Sequence, residues 1–191
     1  MDPLSEITEI RWHGRGGQGV KTAAEVLAEA AIRDGKYVQS FPEYGPERMG
    51  APVLAFNRLS EERIDVHSNV YSPNHVIVLD PTLLESGNTT QGLDLQGTLL
   101  VNTDESPENI RERTGFKGKI ITVDATKIAK EEIGRPIANT TCLGAFVGIS
   151  GITSLDNVKE SVRGHLGSKL GEKVIEANMR ALQRAYEEAK K

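Results

Sequence analysis

Cysteine is nearly absent: the 191-residue chain carries one, Cys142. A single thiol cannot close an intrachain disulfide, and it falls far short of the roughly four thiolates that hold an iron–sulfur cluster. Histidine is scarce as well. The four residues His13, His67, His75 and His165 show no metal-motif spacing such as His-Glu-x-x-His, and they read as isolated polar or core-edge side chains. Long apolar runs are missing. His75–Leu79 and the stretch around Leu143–Ile149 are well below the ~18–20 residues needed to span a bilayer. A basic excess is missing too: the net charge is −4, which argues against a nucleic-acid partner, because such proteins present a basic face. Asp2, Glu6 and Glu9 interrupt the first ten residues, so no basic-then-apolar leader is read there. A cytoplasmic chain without a membrane role is expected.

What is present suffices for one packed unit. Hydrophobic residues make up 38% and charged residues 26%, far from the disordered regime, and the length suits a single domain over residues 1–191. Ile7, Ile10 and Trp12 mark a first strand ending at Gly14. From Val20 the period changes: Ala23, Ala24, Leu27, Ala30 and Ala31 recur at helical spacing until Gly35 stops the segment. Lys36–Phe41 reads as a second strand and Val53–Asn57 as a third. Ile64–His67 is expected to pair with the third strand as a hairpin across the Ser60–Glu62 turn. Val76–Leu79, Thr98–Asn102 and Lys119–Asp124 are continuous apolar runs of the kind that suits parallel strands covered on both faces. Asp80-Pro81, Ser106-Pro107 and Asp124–Thr126 supply helix-starting residues after them. Ile175, Met179, Leu182 and Tyr186 form one stripe of a C-terminal helix. This alternation predicts an α/β fold, a single layered domain with a mostly parallel, Rossmann-like sheet flanked by helices. In such folds ligands and partners meet the loops beyond the carboxyl ends of the strands, here those beginning at Gly14, Pro42, Asp80, Asn102 and Asp124.

Gly14, Arg15, Gly16, Gly17, Gln18 and Gly19 spell G-x-G-x-x-G between a strand and a helix. Glycines permit close backbone approach, and a helix start favours an anion, so these six residues are candidate cofactor-binding positions. A P-loop is excluded, because Val20 rather than glycine precedes Lys21-Thr22. A dinucleotide site wants an acidic residue about twenty positions on. Gln39 and Ser40 stand there, and Glu43 comes slightly late. A stand-alone nucleotide-binding oxidoreductase and a ligand-free tight turn both remain open on these residues.

A second loop, Phe41–Pro52, combines aromatics, two carboxylates and an arginine with prolines and glycines. Glu43, Tyr44, Gly45, Pro46, Glu47, Arg48 and Gly50 are its candidate interface or ligand residues. Arg48 has the fork geometry to clamp a carboxylate or phosphate. An exposed loop with an internal Glu–Arg pair is the plainer alternative. Asn139-Thr140-Thr141 reads as a capped helix start running into a buried small-residue helix that carries Cys142. With no histidine nearby in sequence, the thiol is expected to be structural, and no catalytic residue or metal ligand is assigned.

Taken together, GRGGQGV, EYGPERMGAP and GKIITVDATKIA…GRPIANTTCLGAF resemble the gamma subunits of the 2-oxoacid:ferredoxin oxidoreductases. The resemblance runs from about Glu9 to the final helix. The family's glycine loop falls on Gly14–Gly19 and its Tyr-Gly-Pro-Glu segment on Tyr44–Glu47. Arg48-Met49-Gly50-Ala51-Pro52 looks more like the pyruvate or branched-chain members than the Arg-Gly-Gly of 2-oxoglutarate members. The resemblance implies a complex converting a 2-oxoacid and coenzyme A to an acyl-CoA and carbon dioxide, or the reverse, with electrons passing to ferredoxin. It implies that thiamine diphosphate, magnesium and iron–sulfur clusters sit on partner subunits, named alpha, beta and a ferredoxin-like delta. This chain would then be required but not catalytic alone.

Overall fold

The computed structural model describes residues 7–43, 50–86, 88–167 and 170–191. The strands are β1 (Thr8–Arg15), β2 (Tyr37–Glu43), β3 (Pro52–Ser60), β4 (His75–Val78), β5 (Thr98–Asn102) and β6 (Lys119–Val123). The helices are α1 (Val20–Arg33), α2 (Pro107–Thr114), α3 (Ala125–Ile133), α4 (Asn139–Ser150), α5 (Leu155–Gly167) and α6 (Glu172–Glu188). One six-stranded sheet runs in the order β2-β3-β1-β4-β5-β6. β1, β4, β5 and β6 are parallel neighbours, whereas β3 lies antiparallel to both β1 and β2. The expected α/β layered architecture is therefore present, with one reversed strand beside its centre.

Alternation along the strands sorts side chains onto two faces. On one face Ile10, Trp12, Ile77 and Leu100 pack beneath Leu27, Leu143, Phe146 and Leu182. Trp12 meets Phe146 edge-on with ring centroids 5.8 Å apart, and its indole N–H donates to Asn57 Oδ1 at 2.8 Å. Asn57 in turn donates to the Ala24 carbonyl at 2.9 Å, so this fully buried amide is satisfied on both sides. Fully burying a residue such as Leu143 or Phe146 contributes roughly 1.5–3 kcal/mol. On the other face Val76, Val78, Leu99 and Val101 form a second apolar cluster with Ile110 and Phe116.

α4 is buried along most of its length, from Asn139 to Val147. It approaches α6 closely because Gly144 and Gly148 carry no side chain: a Cβ at either would meet the Leu182 or Tyr186 carbonyl. Ser106 and Asp124 cap α2 and α3, accepting from Asn109 N and Lys127 N.

Three expectations need correction. Ile64–His67 is not a strand, because β1 and β2 already occupy both edges of β3. The Ile64 and Val66 carbonyls are instead bonded by the Gln39 side chain. The run after Asp80 forms only a 3-10 helix, Pro81–Ser86. Finally, α4 begins without a side-chain cap. The Asn139 amide turns away to the Gly19 carbonyl at 3.5 Å.

Candidate functional site

The parallel strands deliver their carboxyl ends to one rim. From β1 the chain crosses through α1 to β2 on one side, while β4 lies on the other, so β1 and β4 flank a topological switch point. The glycine loop sits at that point. Gly19 has φ 77°, a left-handed conformation, and any Cβ there would collide with the Asn139 side chain. Both the backbone and the packing therefore require glycine. α1 starts immediately after it with no side-chain cap.

The rest of the loop is occupied by its own protein. Gln18 Oε1 accepts from Arg15 N at 2.7 Å, and Gln18 Nε2 donates to Asp80 Oδ2 at 2.8 Å. Arg15 Nε reaches the same oxygen at 3.1 Å, and Arg15 Nη2 donates to Thr82 Oγ1 at 2.8 Å. Asp80 Oδ1 accepts from Thr82 N at 3.1 Å and from the Thr82 hydroxyl at 2.6 Å. Burial opposes ionisation of Asp80, but the hydrogen bonds from Thr82 and Gln18 and the Arg15 charge outweigh it and hold the carboxyl below its usual range.

The same loop fastens the start of β3. Gly16 N donates to the Ala51 carbonyl at 2.9 Å, Gly50 N to the Gly16 carbonyl at 3.2 Å, and Arg15 Nη1 to the Gly50 carbonyl at 3.1 Å. Of the second candidate loop, Glu43 is exposed at the end of β2 and Gly50 adopts φ 84°. Tyr44, Gly45, Pro46, Glu47 and Arg48 lie outside the described residues. The candidates on either side, Gly14–Gly19 and Gly50, are thus joined. Glu43 is held on the neighbouring strand pair, opposite Leu54.

The sequence placed Asp80 and Asn102 at the start of rim loops but not among the candidate site residues, and Thr82 and Thr126 were missed as members of this rim. Asn102 Nδ2 donates to the Leu79 carbonyl and to Thr126 Oγ1, both at 2.8 Å, and its Oδ1 accepts from Thr126 N at 3.0 Å. With Gln18, Asp80 and Pro136 these residues line an open groove of about 460 Å³. Their one signal in the sequence is position: each polar residue directly follows an apolar strand or starts the next helix.

The chemistry available here is limited. Cys142 is buried away from solvent and its thiol is pushed up to about 12 by desolvation, so it is neither a nucleophile nor a ready metal ligand. His13 is 7% exposed and held down to about 3 by burial and then by the neighbouring Arg11 charge. It is neutral, and its Nε2 accepts from Arg11 Nε at 2.9 Å. Among the described residues no three His, Cys, Asp or Glu side chains gather as a metal site, and no helix is long and apolar enough to cross a membrane. Strand order also disfavours dinucleotide binding. That use requires the strand after the first helix to lie beside β1, bringing its acidic end to the ribose. Here β3 intervenes, so Glu43 stands two strands away, about 9–10 Å across the sheet.

Comparison with known proteins identifies the frame in which this rim works. A family model described as pyruvate ferredoxin/flavodoxin oxidoreductase matches residues 9–188. The pyruvate synthase subunit PorC of Thermotoga maritima is 54% identical over 190 residues, covering 100% of this chain and 98% of that one. The pyruvate/ketoisovalerate oxidoreductases common subunit gamma of Pyrococcus furiosus is 46% identical over 182 residues, covering 95% and 96%. A crystal structure of the Thermotoga maritima pyruvate oxidoreductase subunit PORC superposes with a TM-score of 0.85 at 48% identity, covering 95% of this chain and 96% of that one.

Proposed function

The chain belongs to the pyruvate ferredoxin/flavodoxin oxidoreductase family, and from that membership we propose that it is the gamma subunit of a 2-oxoacid:ferredoxin oxidoreductase, acting on pyruvate. The complex would join the 2-oxoacid to coenzyme A, release carbon dioxide and pass the electrons to ferredoxin, or run the reverse synthesis, in the cytoplasm. The observation that carries the reading is the family match across residues 9–188, on a chain whose Arg15 and Gln18 side chains already bond its own Asp80.

This chain's residues do not fit the redox cofactors of such a complex. An iron–sulfur cluster takes about four thiolates, and the single cysteine is buried with its thiol pushed up to about 12. The clusters are therefore proposed to lie on partner subunits, and thiamine diphosphate and magnesium, which the family resemblance implies, are proposed to lie there too, on subunits of the alpha, beta and ferredoxin-like delta types. The candidate residues Gly14–Gly19, Glu43–Arg48 and Gly50 are the proposed contact with them. The Pyrococcus furiosus relative is named as a gamma subunit common to pyruvate and ketoisovalerate oxidoreductases. That sharing supports a gamma chain that does not itself select the 2-oxoacid.

Anaerobic purification of the native protein tests the proposal. Co-elution with thiamine-diphosphate- and cluster-bearing subunits is expected, whereas a lone chain with full oxidoreductase activity would overturn it. Among these candidates, Arg48 is proposed to meet a phosphate of coenzyme A. Arg15 is already committed to Asp80, Thr82 and Gly50. In the assembled enzyme Arg48→Ala should raise KM for coenzyme A about tenfold, and an unchanged KM removes that assignment.

A further inference from the structure

We propose that Arg15, Gln18 and Asp80 form an internal clamp that positions the rim for partner docking, with the Asp80 carboxylate tying the two polar side chains of the glycine loop to the end of β4. The inference builds on the reading of this chain as a subunit and assigns Arg15 and Asp80 as positioning residues within it.

The geometry is economical. One guanidinium ties the glycine loop to two other chain segments: Nε meets Asp80, 65 residues away, and Nη2 meets Thr82, 67 away, while Nη1 meets the Gly50 carbonyl, 35 away. The Asp80 carboxylate has every acceptor direction filled, by Arg15, Gln18 and twice by Thr82. The backbone bonds Gly16 to Ala51 and Gly50 to Gly16 then tie the glycine loop to the root of β3. Anion-binding loops of this shape hold a ligand with backbone N–H groups. Here the donors of the two polar loop side chains, Arg15 and Gln18, converge on a carboxylate supplied from the end of β4.

Energetics favour a positioning role over a stabilising one. The Arg15 and Asp80 side chains are 34% and 14% exposed, and ion pairs open to water add little to global stability. A planar fork with several partners does fix geometry, and a contact surface fixed before association loses less entropy on binding. A lysine at 15 would keep the charge but could not serve Asp80, Thr82 and Gly50 together.

The test uses the full chain and the complex reconstituted from wild-type partners. Asp80→Asn keeps the shape but leaves one acceptor oxygen for four donors. In the free chain, amide exchange at Gly16 and Gly50 should quicken about tenfold while β5 amides hold their wild-type rates. In the complex, the dissociation constant of this chain should rise about tenfold while kcat at saturation stays within about twofold. Arg15→Lys should act in the same direction. Should Asp80→Asn fail to fold, Thr82→Val, which removes one hydroxyl at an exposed position, should give a smaller shift of the same sign. Unchanged exchange at Gly16 and Gly50, or a fall in kcat with an unaltered dissociation constant, overturns the clamp. If the wild-type chain finds no cofactor-bearing partners at all, the subunit reading fails, and the exchange measurement still decides the clamp by itself.

Discussion

Two halves of the same side of the sheet are built on different principles. Over β4, β5 and β6 the contact is apolar: Val76, Val78, Leu99 and Val101 pack with Ile110 of α2 and with Phe116 just beyond its end. Over β1, β3 and β2 the residues facing outward on that side include Arg11, His13 and Arg58, all at most 7% exposed. The cover there is irregular chain. Arg11 Nη2 donates to the Thr89 and Gln91 carbonyls at 3.1 and 2.7 Å, and Arg58 Nη2 to the Ser68 carbonyl at 2.7 Å. Arg58 also pairs with Glu9 at 2.7 Å and lies over the Phe41 ring. A helix satisfies its own carbonyls and can offer the sheet a purely apolar face. An irregular segment cannot, so the strands beneath it must supply donors. Buried arginines are the consequence of covering a sheet without a helix.

The largest effect that would test this contrast is expected from Arg58→Met. It strands the Glu9 carboxylate and leaves the Ser68 carbonyl without its donor, and it should cost about 3–5 kcal/mol in urea unfolding. A loss below about 1 kcal/mol would show that the polar half is not held by its arginines. Leu99→Ala in the apolar half is expected to cost about 2–4 kcal/mol by opening a cavity. The two halves would then be comparably strong by unlike means.

Acid should separate them. The folded His13 titrates at about 3 and the unfolded residue near 6.5, so above pH 6.5 both states are neutral and stability is complete. As pH falls below 6.5 the unfolded state takes up a proton that the folded state refuses, and unfolding becomes easier until about pH 3. His75, also held low by burial and then by Lys119, acts in the same direction. The loss between pH 6.5 and 4.5 should be of order 2 kcal/mol. His13→Gln should remove most of it, while Leu99→Ala should leave the slope untouched. An unaltered slope in His13→Gln would place the acid sensitivity elsewhere.

Much of the fold was legible because its causes are local. The Val20–Arg33 helix, the apolar runs at Val76 and Leu99, and the caps Ser106 and Asp124 are all written within a few residues of where they act. Ile64–His67 was misread for a reason that no local pattern contains: both edges of its expected partner strand were already occupied. The apparent cap at Asn139 failed in the same way, since a glycine 120 positions earlier draws its side chain aside. The glycine loop's place at the first strand–helix junction was legible, but what its side chains grip was not, because Asp80 enters from another strand.

The sequence alone determined that this is an α/β chain with a glycine-bearing turn at the first strand–helix junction and without the thiols for a cluster of its own. Those properties follow from composition, period and allowed dihedrals, which a short stretch of chain carries in full. Only the tertiary structure decided what the turn touches. The insertion of antiparallel β3 between β1 and β2 moves Glu43 away from the place where a ribose would sit, and the packing of β4 beside β1 brings Asp80 to the loop instead. Strand order is a property of the whole core, since it depends on which arrangement buries both faces of the sheet at once, and no segment holds that information by itself.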